Sequence, residues 1–187
     1  MFDQAAQKLA VAGAVGVLPT DTVYGLVARA ADSTAVKRLY DLKLREGKPG
    51  TIIAASVDQL VSLGLKARYL KAVEQFWPGA VSVIIPCGPE LEYLHEGKGG
   101  LAVRLPSQPE LQALLQQTGP LLTSSANHPD EPTATTIEQA KNYFGDQVDF
   151  YIDGGDLSNH APSTIIRIVD DAIEVIREGA VKIQPNE

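Results

Sequence analysis

The chain has 187 residues, of which 44% are hydrophobic and 21% are charged, as in ordinary soluble globular proteins. That length suits a single domain over residues 1–187 with a substantial core. The net charge of −7 argues against broad binding to nucleic acid, which rests on a basic surface. No apolar run approaches the roughly 20 residues that span a bilayer, so no membrane association is expected. A single cysteine, Cys87, excludes an internal disulfide and favours a reducing, cytoplasmic compartment.

The spacing of apolar residues predicts helices and strands that alternate along the chain. The first helix is expected over residues 2–12, and the second begins at Ser33, which suits an N-cap. Residues 163–169 and 172–176 predict a hairpin that turns at 170–171. Such a mixture predicts an α/β fold with a mixed sheet and flanking helices. Further helices are predicted over 57–63, 67–76, 109–117 and 137–144, and strands over 14–18, 51–55, 81–86, 101–105, 121–123 and 150–152.

Several common phosphate and metal sites are absent from the sequence. It contains neither the G-x-x-x-x-G-K-[ST] loop of P-loop proteins nor the G-x-G-x-x-G of dinucleotide sites. The three histidines (His95, His128 and His160) lack metal-ligand spacing, so no metal bound by protein side chains is predicted. Ser124 and Ser125 follow no G-x-S-x-G elbow, which gives hydrolase chemistry little support. A phosphate site must therefore be made from side-chain cations and loop amides.

A hydroxyl-rich turn follows the first predicted strand, where residues 19–25 read Pro-Thr-Asp-Thr-Val-Tyr-Gly. A plain connection would account for Asp21 and one threonine, because such side chains readily bond to the local backbone. It does not account for Thr20, Thr22 and Tyr24 together after a buried strand. Loops at the ends of buried strands are favoured ligand sites in α/β sheets, so this turn is predicted to bind a ligand.

Two cations, Lys43 and Arg45, lie at the end of the second predicted helix. One interpretation is a solvated helix face on which they pair with Asp41 and Glu46. The other is an open boundary at which both cations reach a ligand, since glycine and proline end the helix just after them. A guanidinium fork together with a lysine point charge suits a polyphosphate. The local sequence leaves both interpretations open.

Polar residues also follow predicted strands further along the chain. Residues 124–127 read Ser-Ser-Ala-Asn and come directly after the strand over 121–123. They suit either a turn or helix cap or a second ligand loop. Arg104 and Arg177 each close another predicted strand. Either one alone would ordinarily form a surface salt bridge.

These polar motifs belong to a longer ordered series, and in that series the chain resembles the YrdC/Sua5 family of threonylcarbamoyl-AMP synthases. The resemblance covers nearly the whole length, and the size is similar to the short, single-domain form of the family. The series comprises PTDTVYGL at 19–26, LKLR at 42–45 followed by Lys48-Pro49, FWPG at 76–79, VRLP at 103–106, SSAN at 124–127, DGG at 153–155, PST at 162–164 and Ile176-Arg177-x-Gly179.

The resemblance implies a nucleotidyltransferase that joins L-threonine, bicarbonate or CO2, and ATP into threonylcarbamoyl-AMP and releases pyrophosphate. Mg2+ would accompany ATP as a cofactor. Other proteins would then transfer the threonylcarbamoyl group to adenosine 37 of tRNA. The resemblance also implies a twisted α/β sheet around a concave, locally basic cavity.

Roles for individual residues follow from the same resemblance. Lys43 and Arg45 would hold phosphates and the carbamate, and so act in catalysis. Arg104 would bind the threonine carboxylate. The contacts to ATP would come from Lys43, Arg45, Ser125, Asn127 and Arg177. The threonine pocket would be formed by Thr20, Thr22, Tyr24, Arg104 and Ser163.

The chain departs from the family pattern after Asn127, where residues 128–131 (His-Pro-Asp-Glu) replace the usual Ser-Gly pair. We therefore expect the adenosine to be held differently. The histidine that many members place shortly after Lys48-Pro49 is also missing. An alternative function is an RNA-binding or nucleotide-binding paralogue of the same fold without synthase activity. The net charge of −7 counts against tight RNA binding, and it leaves only weak tRNA or RNA contact at a local basic patch.

Overall fold

A computed structural model describes residues 2–44, 47–170 and 172–183, which form an α/β fold. The helices are α1 (Asp3–Leu9), α2 (Ser33–Lys43), α3 (Val57–Leu63), α4 (Ala67–Ala72), α5 (Glu92–His95), α6 (Pro109–Thr118) and α7 (Ile137–Phe144). The strands are β1 (Val15–Pro19), β2 (Tyr24–Arg29), β3 (Thr51–Ile53), β4 (Val81–Pro86), β5 (Gly100–Arg104), β6 (Leu121–Ser125), β7 (Phe150–Tyr151), β8 (Thr164–Val169) and β9 (Ala172–Arg177).

All nine strands of the described residues join one mixed sheet, in the order β7-β1-β2-β6-β3-β5-β4-β8-β9. The pairs β1/β7, β3/β5 and β4/β8 are parallel, and the other neighbours are antiparallel. Strand β6 lies between β2 and β3, although it follows them by many residues in the chain. This order brings the ends of sequence-distant strands together around the centre of the sheet.

The two faces of the sheet are covered differently. One face packs Leu26, Ile52, Leu122 and Val103 into the larger apolar core, together with Leu39 of α2. Side chains alternate along a strand, so the residues between these ones point to the opposite face. There α1 and α6 cover a second apolar cluster, which contains Leu18, Val27, Ile53 and Leu121.

The same face continues past that second cluster as a polar surface. The register pairs Gly25 with Ser125 and Thr51 with Thr123, and it pairs Ile53 with Arg104. Paired residues share a face, so hydroxyls and a guanidinium lie beside the apolar cluster on one side of the sheet. Among the described residues, no helix is both long enough and apolar enough to cross a membrane.

The predicted α/β class with a mixed sheet and flanking helices is confirmed, and so is the hairpin formed by β8 and β9. Two details were wrong at helix ends. The first helix ends at Leu9 and not at residue 12. The N-cap of α2 is Asp32 and not Ser33, because the Asp32 carboxylate accepts hydrogen bonds from the N–H groups of Thr34 and Ala35.

Strand β2 was missed by the sequence prediction, which ended the polar turn at Gly25 and gave the next residues no element. Residues Tyr24 to Ala28 are all buried, so the segment lacks the apolar-polar alternation that marks a half-exposed strand. The predicted helix over 67–76 is divided into α4 and a short 3-10 helix, Glu74–Phe76.

Candidate active site

An open cleft of about 650 Å³, counting the space at its mouth, lies over the polar part of the sheet. The described lining residues include two arginines and no carboxylate, which makes the cleft suited to an anionic ligand. The lining comprises Thr20, Thr22, Val23, Gly25, Pro49, Gly50, Thr51, Arg104, Thr123, Ser124, Ser125, Pro162, Ser163, Ile165 and Arg177.

The turn between β1 and β2 forms one wall of the cleft and is held by Thr20. The Thr20 hydroxyl donates to the carbonyl of Val23 at 2.7 Å and accepts from the N–H groups of Thr22 and Val23. The two threonine hydroxyls lie 3.0 Å apart. Because the single Thr20 proton is directed to Val23, Thr22 is the donor in that contact. The lone pairs of the Thr22 oxygen remain as acceptors for a ligand.

Tyr24 begins β2 and is fully buried beneath the cleft wall. Its hydroxyl donates to the carbonyl of Gly155 at 2.8 Å and accepts from the N–H of Gly154 at 2.8 Å. Burial raises the pKa of this hydroxyl, so the phenol keeps the proton that it donates. Tyr24 thus ties the segment after β7 to the hydroxyl-rich turn. It does not line the cleft itself.

Arg104 is held by a buried ion pair with Asp21, a residue that the sequence analysis assigned only to local backbone bonds. Arg104 Nη2 donates to Asp21 Oδ1 at 2.8 Å, and the two side chains are 3% and 5% exposed. Burial raises the pKa of Asp21, which the charge of Arg104 opposes, and burial also lowers the pKa of Arg104. Arg104 Nε and Asp21 Oδ2 are buried without a hydrogen-bond partner among the described residues. The pair is therefore costly to bury, which is typical of a functional position.

Ser163 and Arg177 meet at the other side of the cleft. Arg177 Nη2 donates to the Ser163 carbonyl at 2.7 Å and to its hydroxyl at 3.2 Å. The Ser163 hydroxyl also lies 2.9 Å from that of Ser82. A side chain at Gly179 would overlap the Ser163 backbone, because an added Cβ would lie 2.6 Å from the Ser163 carbonyl carbon. The absence of a side chain at Gly179 therefore allows the Arg-x-Gly motif to pack against the Pro-Ser-Thr motif.

Two glycines keep the floor of the cleft open. A Cβ at Gly25 would lie 2.4 Å from Thr123 Oγ1, and a Cβ at Gly50 would lie 2.6 Å from the Thr123 carbonyl oxygen. Such distances are shorter than real contacts, so larger residues would displace β6. Ser124 Oγ points to the opposite face of the sheet, the face of Leu26 and Leu122, and is buried there without a partner among the described residues.

Ser125, the last residue of β6, lines the cleft, whereas Asn127 belongs to the loop that follows and does not line it. Ser125 Oγ donates to Asn127 Oδ1 at 2.7 Å. The Asn127 amide donates to the carbonyls of His128 and Glu131 at 2.9 and 2.8 Å. The residues that replace the usual Ser-Gly pair therefore complete a closed turn. The His128 ring is 2.9 Å from the Tyr143 carbonyl, which fixes the turn against α7.

Lys43 lies neither on a solvated helix face nor at an open helix boundary, so both interpretations of the sequence are wrong for it. Asp41 pairs with Lys37 instead. Lys43 ends α2 on the core-facing side, one turn after Leu39, and is only 1% exposed. Its ammonium group donates to the carbonyls of Ser125 and Asn127. Arg45 and Glu46 lie outside the described residues, so the predicted partner role of Glu46 and the phosphate contact of Arg45 stay predictions.

The cleft thus brings together six of the predicted site residues from distant motifs. Two others, Tyr24 and Lys43, support its walls from behind, and Asn127 supports the loop. The described part of the chain contains no cluster of three or more His, Cys, Asp or Glu side chains suited to a metal ion. The six lining residues are Thr20, Thr22, Arg104, Ser125, Ser163 and Arg177.

A comparison with protein families matches residues 8–179 to the Sua5/YciO/YrdC family, whose model carries the description "Telomere recombination". The chain belongs to the Sua5/YciO/YrdC family. A relative from Mycobacterium tuberculosis is 37% identical over 179 residues, which cover 92% of this chain and 82% of that protein. It carries the name threonylcarbamoyl-AMP synthase provisionally. Other relatives in bacteria and archaea carry that name without the qualification.

Solved structures of the family share this fold. Pyrococcus abyssi Sua5 in complex with L-threonine is 29% identical, with a TM-score of 0.82. The match covers 94% of this chain and 53% of that protein, so the chain spans about half of it. Escherichia coli YciO is 28% identical, with a TM-score of 0.80, and the match covers 96% of this chain and 89% of YciO. The chain therefore spans most of YciO and about half of the P. abyssi protein.

Proposed function

We propose that this chain is a threonylcarbamoyl-AMP synthase, which forms threonylcarbamoyl-AMP from L-threonine, bicarbonate and ATP and releases pyrophosphate. The observation that carries the proposal is that a single cleft is lined by both predicted residue sets, the threonine set (Thr22, Arg104, Ser163) and the nucleotide set (Ser125, Arg177). A reaction between threonine and ATP requires their sites to be adjacent. The names of the relatives support the same activity.

The first chemical step forms a carbamate. The neutral amine of threonine attacks CO2 and releases a proton to solvent as the N–C bond forms. If it attacks bicarbonate, that proton leaves with the departing hydroxide as water. Arg104 suits the threonine carboxylate because a guanidinium binds carboxylates through paired N–H groups. The Thr22 oxygen suits the amine, because its own proton is already donated to Thr20 and it can accept an N–H.

In the second step a carbamate oxygen attacks the α-phosphorus of ATP, and the bond to pyrophosphate breaks. Negative charge then grows on the phosphate oxygens, which positive side chains stabilise. Arg177 touches Ser163 and lines the cleft, so it lies at the boundary between the two predicted ligand sets. The carbamate is labile in water, and we attribute much of the catalysis to holding it beside ATP.

Mg2+ would enter as a substrate complex with ATP. The described cleft residues provide hydroxyls and carbonyls but no carboxylates, and Mg2+ commonly keeps its waters while it binds substrate phosphates. We therefore place the ion on ATP and assign it no protein ligand. The product would be used by separate proteins that transfer the threonylcarbamoyl group to adenosine 37 of tRNA.

The decisive assay measures pyrophosphate release by the purified chain with Mg-ATP, bicarbonate and L-threonine. We expect release only when threonine and bicarbonate are both present. The alternative, a nucleotide-binding paralogue, would bind ATP in calorimetry but release no pyrophosphate. The RNA-binding alternative would give no turnover and a salt-sensitive complex with RNA. Either outcome would contradict the synthase proposal.

A further inference from the structure

A charged side chain in the core, that of Lys43, raises a question that the cleft alone does not answer. A buried ammonium group is stable only if polar partners replace the water that it loses. Lys43 is 1% exposed and is among the largest fully buried side chains. Its location at the end of α2 places it directly behind the loop that follows β6.

The ammonium group uses its protons on that loop. Its Nζ lies 2.7 Å from the Ser125 carbonyl, 2.6 Å from the Asn127 carbonyl and 3.0 Å from Asn127 Oδ1. An ammonium group has three N–H donors, and its acceptors among the described residues already match them in number. Direct contact with a phosphate would therefore require Lys43 to give up a bond that it already makes.

The acceptors belong to a closed network that shapes the loop. Asn127 Oδ1 accepts from Lys43 and also from Ser125 Oγ, at 3.0 and 2.7 Å. The backbone of the loop is fixed as well, because the Ala126 N–H donates to the Tyr24 carbonyl and the Ala134 N–H donates to the Ala126 carbonyl. Lys43 is thus the cation at the centre of a turn whose outer side, at Ser125, faces the cleft.

We propose that Lys43 is a positioning residue, which fixes the loop at residues 125–127 in the shape that receives the nucleotide, and that it does not contact the phosphates itself. The role differs from the one that the family resemblance assigns to Lys43. Only the identity of the ligand rests on the proposed function. The positioning role itself stands apart from that function, because it rests on hydrogen bonds within the chain.

The first test is amide hydrogen exchange without ligand, measured on Lys43→Met, which keeps the length of the side chain and removes its charge. We expect exchange at Ala126, Asn127 and Ala134 to accelerate at least about tenfold, the effect of losing one charge-assisted hydrogen bond. The matched control is Lys37→Met on the exposed side of the same helix, which should leave these amides unchanged. If these amides exchanged at the wild-type rate in Lys43→Met, the proposal would be overturned.

The second test compares the affinities of adenosine, AMP and ATP by calorimetry. If Lys43 acts through the loop, Lys43→Met lowers the affinities for all three ligands by a similar factor. If Lys43 contacts phosphates, adenosine binds as to the wild type and the loss grows with the number of phosphates, which would overturn the proposal.

A second variant, Asn127→Ala, keeps the comparison decisive if Lys43→Met does not fold. This variant leaves the ammonium group in place and removes one of its acceptors. A positioning role predicts that adenosine and ATP lose affinity together. A phosphate contact predicts that ATP gains affinity relative to adenosine, because a proton of Lys43 is released. If the wild type binds no nucleotide, the synthase proposal fails while the exchange measurement still decides the role of Lys43.

Discussion

At the scale of single residues, the sequence identified side chains that line the cleft but not the contacts that hold those side chains in place. Thr20, Thr22 and Ser163 were recognised because ordered motifs identify them, and all three line the cleft. The pairing of Arg104 with Asp21 joins residues 83 positions apart, and no local pattern encodes such a contact. Motifs reveal which side chains a site needs, whereas the contacts that hold them depend on the tertiary fold.

Removal of the Asp21 carboxylate should destabilise the protein strongly. In Asp21→Ala the guanidinium of Arg104 stays buried without its counter-charge, so we expect the free energy of unfolding to fall by about 3–5 kcal/mol. Asp41→Ala breaks the exposed pair with Lys37 and should cost at most about 1 kcal/mol. Denaturant unfolding of both variants provides the measurement. Equal losses would show that burial of the Asp21 pair has no energetic consequence.

Loss of the Thr22 hydroxyl should impair threonine use selectively. Thr22→Val keeps the shape of the side chain and removes the acceptor that we assign to the substrate amine. We expect KM for threonine to rise roughly tenfold, the value of one hydrogen bond to a charged or polar substrate group, while KM for ATP stays unchanged. Steady-state kinetics tests this, with Thr34→Val on the exposed side of α2 as the control. A rise in KM for ATP alone would refute the assignment.

At the scale of elements, the predictions were correct for helices whose own sequence has a clear periodicity. They failed for strands whose burial and pairing depend on neighbouring strands. Helices α3 and α7 have the predicted bounds, because both have an N-cap side chain and an amphipathic pattern. Strand β2 is buried on both sides, so its sequence shows no alternation. Strand β6 lies between β2 and β3 because of long-range pairing, and the sequences of these three strands do not reveal that pairing.

The N-cap of α2 should make stability depend on acid pH. The N–H of Gly13, and next that of Ala35, lowers the pKa of Asp32 below its ordinary value of 3.8. A lowered pKa in the folded state stabilises the protein above pH 3.8, and this stability is lost as the pH falls through the folded pKa. Asp32→Asn should flatten this part of the stability curve in acid unfolding experiments.

Alanine variants show which of two residues, Asp32 or Ser33, is the N-cap of α2. Asp32→Ala should cost about 1–2 kcal/mol at neutral pH, as a lost N-cap does. Ser33→Ala should have little effect, because Ser33 is the first exposed residue of the helix and not its cap. If Ser33→Ala destabilised the protein more than Asp32→Ala, the assignment of the cap would be wrong.

At the scale of the whole molecule, charge separates the synthase from an RNA-binding protein. The net charge is −7, and the described cleft concentrates its two arginines in a space suited to a small anionic ligand. We therefore expect no complex with tRNA in a gel shift at micromolar protein and about 0.15 M salt, since nonspecific binding rests on many phosphate contacts. A complex that persists at that salt concentration would require a basic surface that the net charge does not suggest.

The most direct test of the central claim follows the carbon of bicarbonate into the product. The purified chain is incubated with L-threonine, Mg-ATP and either ordinary or 13C-labelled bicarbonate, and the nucleotides are analysed by mass spectrometry. The synthase account predicts threonylcarbamoyl-AMP that carries the 13C label and forms in step with pyrophosphate. Hydrolysis of ATP without a labelled adenylate, or no reaction of ATP at all, would contradict it.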